Sequence, residues 1–220
     1  MDKLSKNKSM LVGICLLVVL LSFALFANYV LHLPNNTFFI LSRFLLWATL
    51  AIMILYSIKI EKQDFFLYKE KKYTFWKVIG IVSLLLVFLI IGNIGIYHLS
   101  TKIGLKTESI STSYFSTLLK NNILIYFCIT ITAGIVEELL LRGYLQTRLE
   151  KLLKSSLGGI LCSSLIFAIL HIGYGIFLQI IVPFWIGLVF AMFYYKFKNI
   201  KILIITHIVW DCFALLKYIM

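Results

Sequence analysis

Acidic residues are scarce in this chain. There are 9 Asp and Glu against 21 Lys and Arg in 220 residues, and within the long apolar runs the acids are Glu137, Glu138 and Asp211. Proline is rarer still, at Pro34 and Pro183. The four cysteines (Cys15, Cys128, Cys162, Cys212) lie singly in apolar segments. None forms a CxxC pair, so neither a zinc ribbon nor a disulfide framework is suggested. No A-x-A site follows the apolar run from Met10 to about Leu33, so that run reads as a retained span and not as a cleaved signal peptide. There is no internal repeat, no low-complexity segment and no pair of broken apolar helices, which counts against a small transporter or proton-coupled carrier.

What is present is apolar length. The chain is 61% hydrophobic, with a mean hydropathy of +0.99, where soluble domains stand nearer half apolar. Several runs reach about twenty residues, the length that crosses a bilayer. The pattern predicts an all-α polytopic transmembrane bundle of about seven spans, over 10–33, 37–60, 74–98, 122–146, 157–172, 177–195 and 199–218. A turn at Leu33-Pro34-Asn35-Asn36, a charged segment 61–73, a Ser/Thr-rich stretch 99–121 and a Gly173-Tyr174-Gly175 break separate them. Residues 108–121 are a candidate interfacial helix. The net charge of +12 invites a nucleic-acid partner, but the basic residues cluster in short loops. Placing the N-terminus inside leaves Lys102, Lys106, Lys120 and Lys217 as the outer-side basic residues, apart from Arg43 near the outer end of the second span. That is the positive-inside bias, and it argues for a lipid bilayer and against nucleic acid.

Ionisable groups inside a membrane are costly and are functional candidates by default. Glu138 and Arg142 lie four apart, acid first, the favourable order for an ion pair on one helix face. Glu137 is rotated about 100° from Glu138 and has no such local partner, which leaves it as a candidate general base. The fifth run ends FAILH, placing Phe167 and His171 on one face. The last reads HIVWD, placing His207 and Asp211 together. Three helices thus carry polar stripes that bundle packing can bring together. A carboxylate with a histidine can activate water, and a second histidine with a polar neighbour can stabilise an oxyanion.

Taken singly, each feature has a plainer reading. Glu138 with Arg142 is a structural ion pair, Phe167 is packing, and His171 borders a span end. His207 and Asp211 pair with each other, and Arg43 snorkels outward. Jointly, three stripes in order on three spans favour a site.

That ordered set, Glu137-Glu138-xxx-Arg142, Phe167-xxx-His171 and His207-xxx-Asp211, resembles the motifs of the CPBP (CAAX protease and bacteriocin-processing, or Abi) intramembrane proteases, the type II CAAX-endopeptidase-like family. The continuation RGYLQTRL is also similar. The resemblance covers about 122–211, a catalytic core within a single integral-membrane domain, 1–220, whose first part, 1–121, matches only as generic spans and loops. It implies a glutamate-dependent endopeptidase. Glu137 and His171 activate water, and His207 with residue 211 forms the oxyanion hole. Glu138 and Arg142 support the site, with Phe167 beside His171. No cofactor is expected.

The family's last motif usually ends in Asn, where this chain has Asp211. Asn donates hydrogen bonds, whereas an ionised Asp only accepts them. Asp211 must then carry a proton, orient and charge His207, or ligate a metal. Glu137, His171, His207 and Asp211 form a possible N/O zinc set. The expected substrate is a peptide or membrane protein near the inner leaflet of a cell membrane. The Lys-, Ile- and Phe-rich, Pro-poor composition fits a low-GC bacterium, and hence peptide pheromones or bacteriocin precursors. The alternative is a non-proteolytic membrane scaffold or bacteriocin self-immunity protein of the same fold.

Overall fold

The computed structural model describes residues 3–31, 35–104, 117–120, 122–171 and 178–219, and among these it is helical with no strand. In chain order the helices are α1 (Lys3–Leu31), α2 (Asn35–Tyr56, extended by a wider π turn Ser57–Glu61), α3 (Phe75–Lys102), α4 (Ile123–Leu153), α5 (Ser156–Ile169), α6 (Leu178–Phe197) and α7 (Ile200–Leu215, followed by a 3-10 turn Leu216–Tyr218). Each predicted span has its helix. The Leu33-Pro34 part of the first turn, residues 108–116 of the candidate interfacial helix and the Gly173-Tyr174-Gly175 break lie outside the described residues.

Among the described residues, five stretches are long and apolar enough to cross a membrane: Leu4–Phe23, Thr37–Glu61, Phe75–Lys102, Ile123–Leu153 and Ile180–Phe197. The expected all-α polytopic bundle is there, with α5 and α7 as its shorter helices. With 14 residues, α5 is about 21 Å long, short of a hydrocarbon core of about 30 Å. The 16 residues of α7 reach about 24 Å.

Local chemistry explains where these helices begin. Asn122, Ser155 and Asn199 precede α4, α5 and α7, and the side-chain oxygen of each accepts a backbone N–H of the first turn, from Ile125, Gly158 and Ile202. Such caps satisfy donors that the helix leaves open. α4 runs past its predicted end because the polar tail still has an apolar face. Leu149 and Leu152 pack on the core, and the helix closes at Lys154, whose φ of 50° is left-handed.

The centre of the bundle is α4. Half of its spanning window is buried (50%) against 17% for α3, so α3 faces lipid and α4 is enclosed. One apolar core joins α1, α2, α4 and Phe167 of α5; a second joins α3, α6 and α7. Leu139 and Ile186 touch both. Close helix contacts use missing side chains. A Cβ on Gly159 would meet the side chain of Glu150 and stand 2.8 Å from the Glu150 backbone nitrogen. Backbone cannot yield as a side chain can, so Gly159→Ala is expected to cost about 1–3 kcal/mol. The check is a lowered melting temperature in detergent; an unchanged one contradicts this packing.

Where α2 ends beside the C-terminal part of α4, two residues that read as loop charges are fully buried instead. Glu61 ends α2 and Arg148 lies on α4. Arg148 Nε and Nη2 donate to Glu61 Oε2 at 3.0 and 2.8 Å, and Nη1 and Nη2 donate to the carbonyls of Phe65 and Asp64 at 2.6 and 3.0 Å. The Tyr144 hydroxyl donates to Glu61 Oε1, and the guanidinium lies over the Tyr144 ring at 3.9 Å. Gly13 of α1 makes the room, since a Cβ there would collide with the Tyr144 hydroxyl. Segment 62–74 is then tied down by hydrogen bonds from Lys71 N to the Lys198 carbonyl and from Asn199 Nδ2 to the Lys71 carbonyl. Tyr68 donates to Glu150, and burial together with that carboxylate pushes its hydroxyl pKa up, so it remains a donor. A cleft of about 640 Å³ opens beside this segment, lined by Phe65, Tyr68, Tyr194 and Lys198 among others, and none of the motif residues lines it.

Candidate active site

The middle of α4 is not a regular α-helix. Ala133–Glu137 and Leu139–Gln146 are wound wider, as π-helix, whereas Ile123–Thr132 and Thr147–Leu153 are α-helical. Wide turns inside helices are uncommon and concentrate at functional positions. Here they span both acids and Arg142. Gly134 lets α7 approach this stretch: a Cβ there would come within 2.5 Å of Ile208 Cγ1 and 3.1 Å of the Ile208 backbone nitrogen. Ile208 follows His207, so this contact sets the imidazole against α4.

Glu138 is fully buried and accepts from two side chains, Arg142 and His207, through one oxygen. Its Oε1 accepts from Arg142 Nη1 at 3.0 Å and from His207 Nδ1 at 2.8 Å. Its Oε2 has no partner among the described residues. Arg142 also reaches the Gly187 carbonyl of α6 at 3.4 Å, and its guanidinium lies between the rings of Phe167 (4.7 Å) and Phe190 (5.4 Å). The charge is thereby paired on its edge and covered on its faces by aromatic rings, which is how a buried guanidinium is tolerated.

His207 stacks on Phe190, with ring centroids 5.3 Å apart. Because Nδ1 meets a carboxylate oxygen, it carries the proton and donates. Nε2 faces Asp211 Oδ2 at 3.6 Å, beyond a direct hydrogen bond. Asp211 keeps 21% of its side chain exposed.

On α5, the Phe167 ring meets the edge of the His171 ring at 4.5 Å. His171 Nδ1 lies 2.8 Å from the Phe167 carbonyl. A carbonyl only accepts, so Nδ1 is the protonated nitrogen and Nε2 is the acceptor of the neutral ring. Glu137 is partly exposed, makes no hydrogen bond or ion pair among the described residues, and lies within electrostatic range of Arg142, His207 and Asp211.

The structure thus links Glu138, Arg142, Phe167, His171, His207 and Asp211 through contacts running across α4, α5 and α7. Glu137 is near in charge but touches none of them. Among the described residues no three His, Cys, Asp or Glu side chains group as metal ligands. Sequence reasoning paired Glu138 with Arg142 and missed that it also holds His207. It missed Phe190 as well, for which a phenylalanine in an apolar run gives no signal.

Residues 119–213 match the family model described as type II CAAX prenyl endopeptidase Rce1-like, in agreement with the resemblance read from the motifs. No curated protein and no solved structure matches the chain.

Proposed function

We infer from the match of residues 119–213 to the Rce1-like type II CAAX prenyl endopeptidase family model that this chain acts as a membrane endopeptidase. From that premise we propose that this chain hydrolyses a peptide bond in a membrane-associated peptide or protein, using water activated by Glu137. The carrying observation is the division between the two adjacent acids. Glu138 is fully buried and engaged by both Arg142 and His207 through Oε1, which suits a holder. Glu137 is partly exposed and makes no hydrogen bond or ion pair among the described residues, which suits a base.

In this reading Glu137 takes a proton from water while His171 Nε2 helps orient that water. The hydroxyl oxygen bonds to the carbonyl carbon. With His207 in its imidazolium form, the resulting oxyanion accepts a hydrogen bond from its Nε2–H, while Glu138 holds the ring in place from the opposite nitrogen. Collapse breaks the C–N bond, and the proton held by Glu137 passes to the leaving nitrogen. Asp211 flanks the oxyanion position. Phe167 and Phe190 keep Arg142 fixed and hence the Glu138 carboxylate.

The proposed setting is a bacterial cell membrane, with the substrate presented near the inner leaflet. Candidate substrates include bacteriocin precursors and other apolar peptides as well as prenylated CAAX chains. The test is cleavage in proteoliposomes of a fluorogenic panel, comprising one prenylated CAAX peptide and several unprenylated membrane-bound apolar peptides. The expected result is cleavage of at least one by wild type and by none of the Glu137→Gln preparations. No cleavage by folded wild type favours the non-proteolytic scaffold or self-immunity reading.

A further inference from the structure

Around His207, among the described residues, three carboxylates face three cationic side chains. Glu137, Glu138 and Asp211 stand against His207 itself, Arg142 and Arg43. Arg43 is the outlier. It belongs to α2, outside the matched region, and reads in the sequence as a charge that snorkels outward.

Its placement is otherwise. The Arg43 guanidinium lies over the Phe39 ring at 5.6 Å, and its Nε is 3.4 Å from the Ser42 hydroxyl oxygen. Phe39 is buried in one cluster with Tyr126 of α4, and Cys212 of α7 packs against that cluster. The Tyr126 hydroxyl donates to the Cys212 carbonyl at 2.8 Å. One turn along α2, the Trp47 indole N–H reaches the Thr132 hydroxyl of α4 at 3.4 Å. The face of α2 that carries residues 43 and 47 therefore runs along α4, with Cys212 of α7 packed against the same cluster. Arg43 also acts electrostatically on Asp211.

We propose that Arg43 is a positioning residue of the active site, the counter-charge that holds the Asp211 carboxylate away from the Nε2–H of His207. The need follows from the geometry. An ionised Asp211, 3.6 Å from that nitrogen, competes for the same N–H and repels a developing oxyanion. A guanidinium within electrostatic range offsets that charge without a direct contact, leaving the imidazole N–H for the reacting oxygen. This rests on the proteolytic reading above.

The test uses the full chain in proteoliposomes with the fluorogenic panel, comparing wild type, Arg43→Gln, Arg43→Lys, Asp211→Asn and Arg43→Gln/Asp211→Asn. Removing the counter-charge is expected to lower kcat about 30-fold with KM within about twofold, whereas Arg43→Lys stays within about threefold. Neutralising Asp211 removes the need for Arg43, so the double variant is expected to cleave within about threefold of Asp211→Asn. Equal losses from Arg43→Gln in both backgrounds would overturn the proposal. Melting temperature in detergent gives a readout without substrate. Arg43→Gln is expected to lower it by about 3 °C in wild type and by less than about 1 °C in Asp211→Asn. Equal drops contradict the pairing. A wild type that cleaves nothing, with this thermal coupling intact, counts against the proteolytic reading and leaves the Arg43–Asp211 pairing standing.

Discussion

Glu137→Gln is expected to abolish measurable cleavage, lowering kcat by about 10³-fold while the protein folds normally. The substitution keeps the size of the side chain and removes only its ability to accept a proton. Nothing structural depends on that carboxylate, because Glu137 makes no hydrogen bond or ion pair among the described residues. The effect should therefore fall on kcat, with KM close to wild type, since water activation occurs after the substrate is bound. A parallel rise in KM would point to substrate binding as the role of Glu137.

Arg148→Met has the largest expected effect on stability, about 3–5 kcal/mol. It strands the fully buried Glu61 carboxylate with the Tyr144 hydroxyl as its remaining donor, and it frees the carbonyls of Asp64 and Phe65. The lost ties join α2, segment 62–74 and α4, so damage should spread beyond one contact. Glu61→Gln/Arg148→Met removes both charges and is expected to recover much of the loss, because an uncompensated buried charge costs more than a missing pair. Unfolding in mixed micelles measures both variants. A single variant as stable as wild type would mean that Glu61 finds water.

The parts of this architecture legible in the sequence are those that short spacings encode. Apolar run lengths gave the helices, and the four-residue separation of Glu138 and Arg142 gave their ion pair at 3.0 Å. The same spacing put His207 beside Asp211 and Phe167 beside His171. Contacts between distant parts of the chain were not legible. Glu138 and His207 are 69 residues apart, and Glu61 and Arg148 are 87 apart, so no helical periodicity relates them. Arg148 and Glu61 read as loop charges because a single sequence shows polarity but not the partner that allows burial. The π winding of α4 leaves no trace in composition either. It becomes visible only once Gly134 is seen against Ile208.

The division of labour between adjacent carboxylates is the claim on which the mechanism turns. Comparing Glu137→Gln with Glu138→Gln, for both kcat and melting temperature, tests it most directly. Glu137→Gln is expected to lose about 10³ in kcat at an unchanged melting temperature. Glu138→Gln, which weakens the hold on Arg142 and His207, is expected to lower both. Cleavage by Glu137→Gln at the wild-type rate would contradict the mechanism outright.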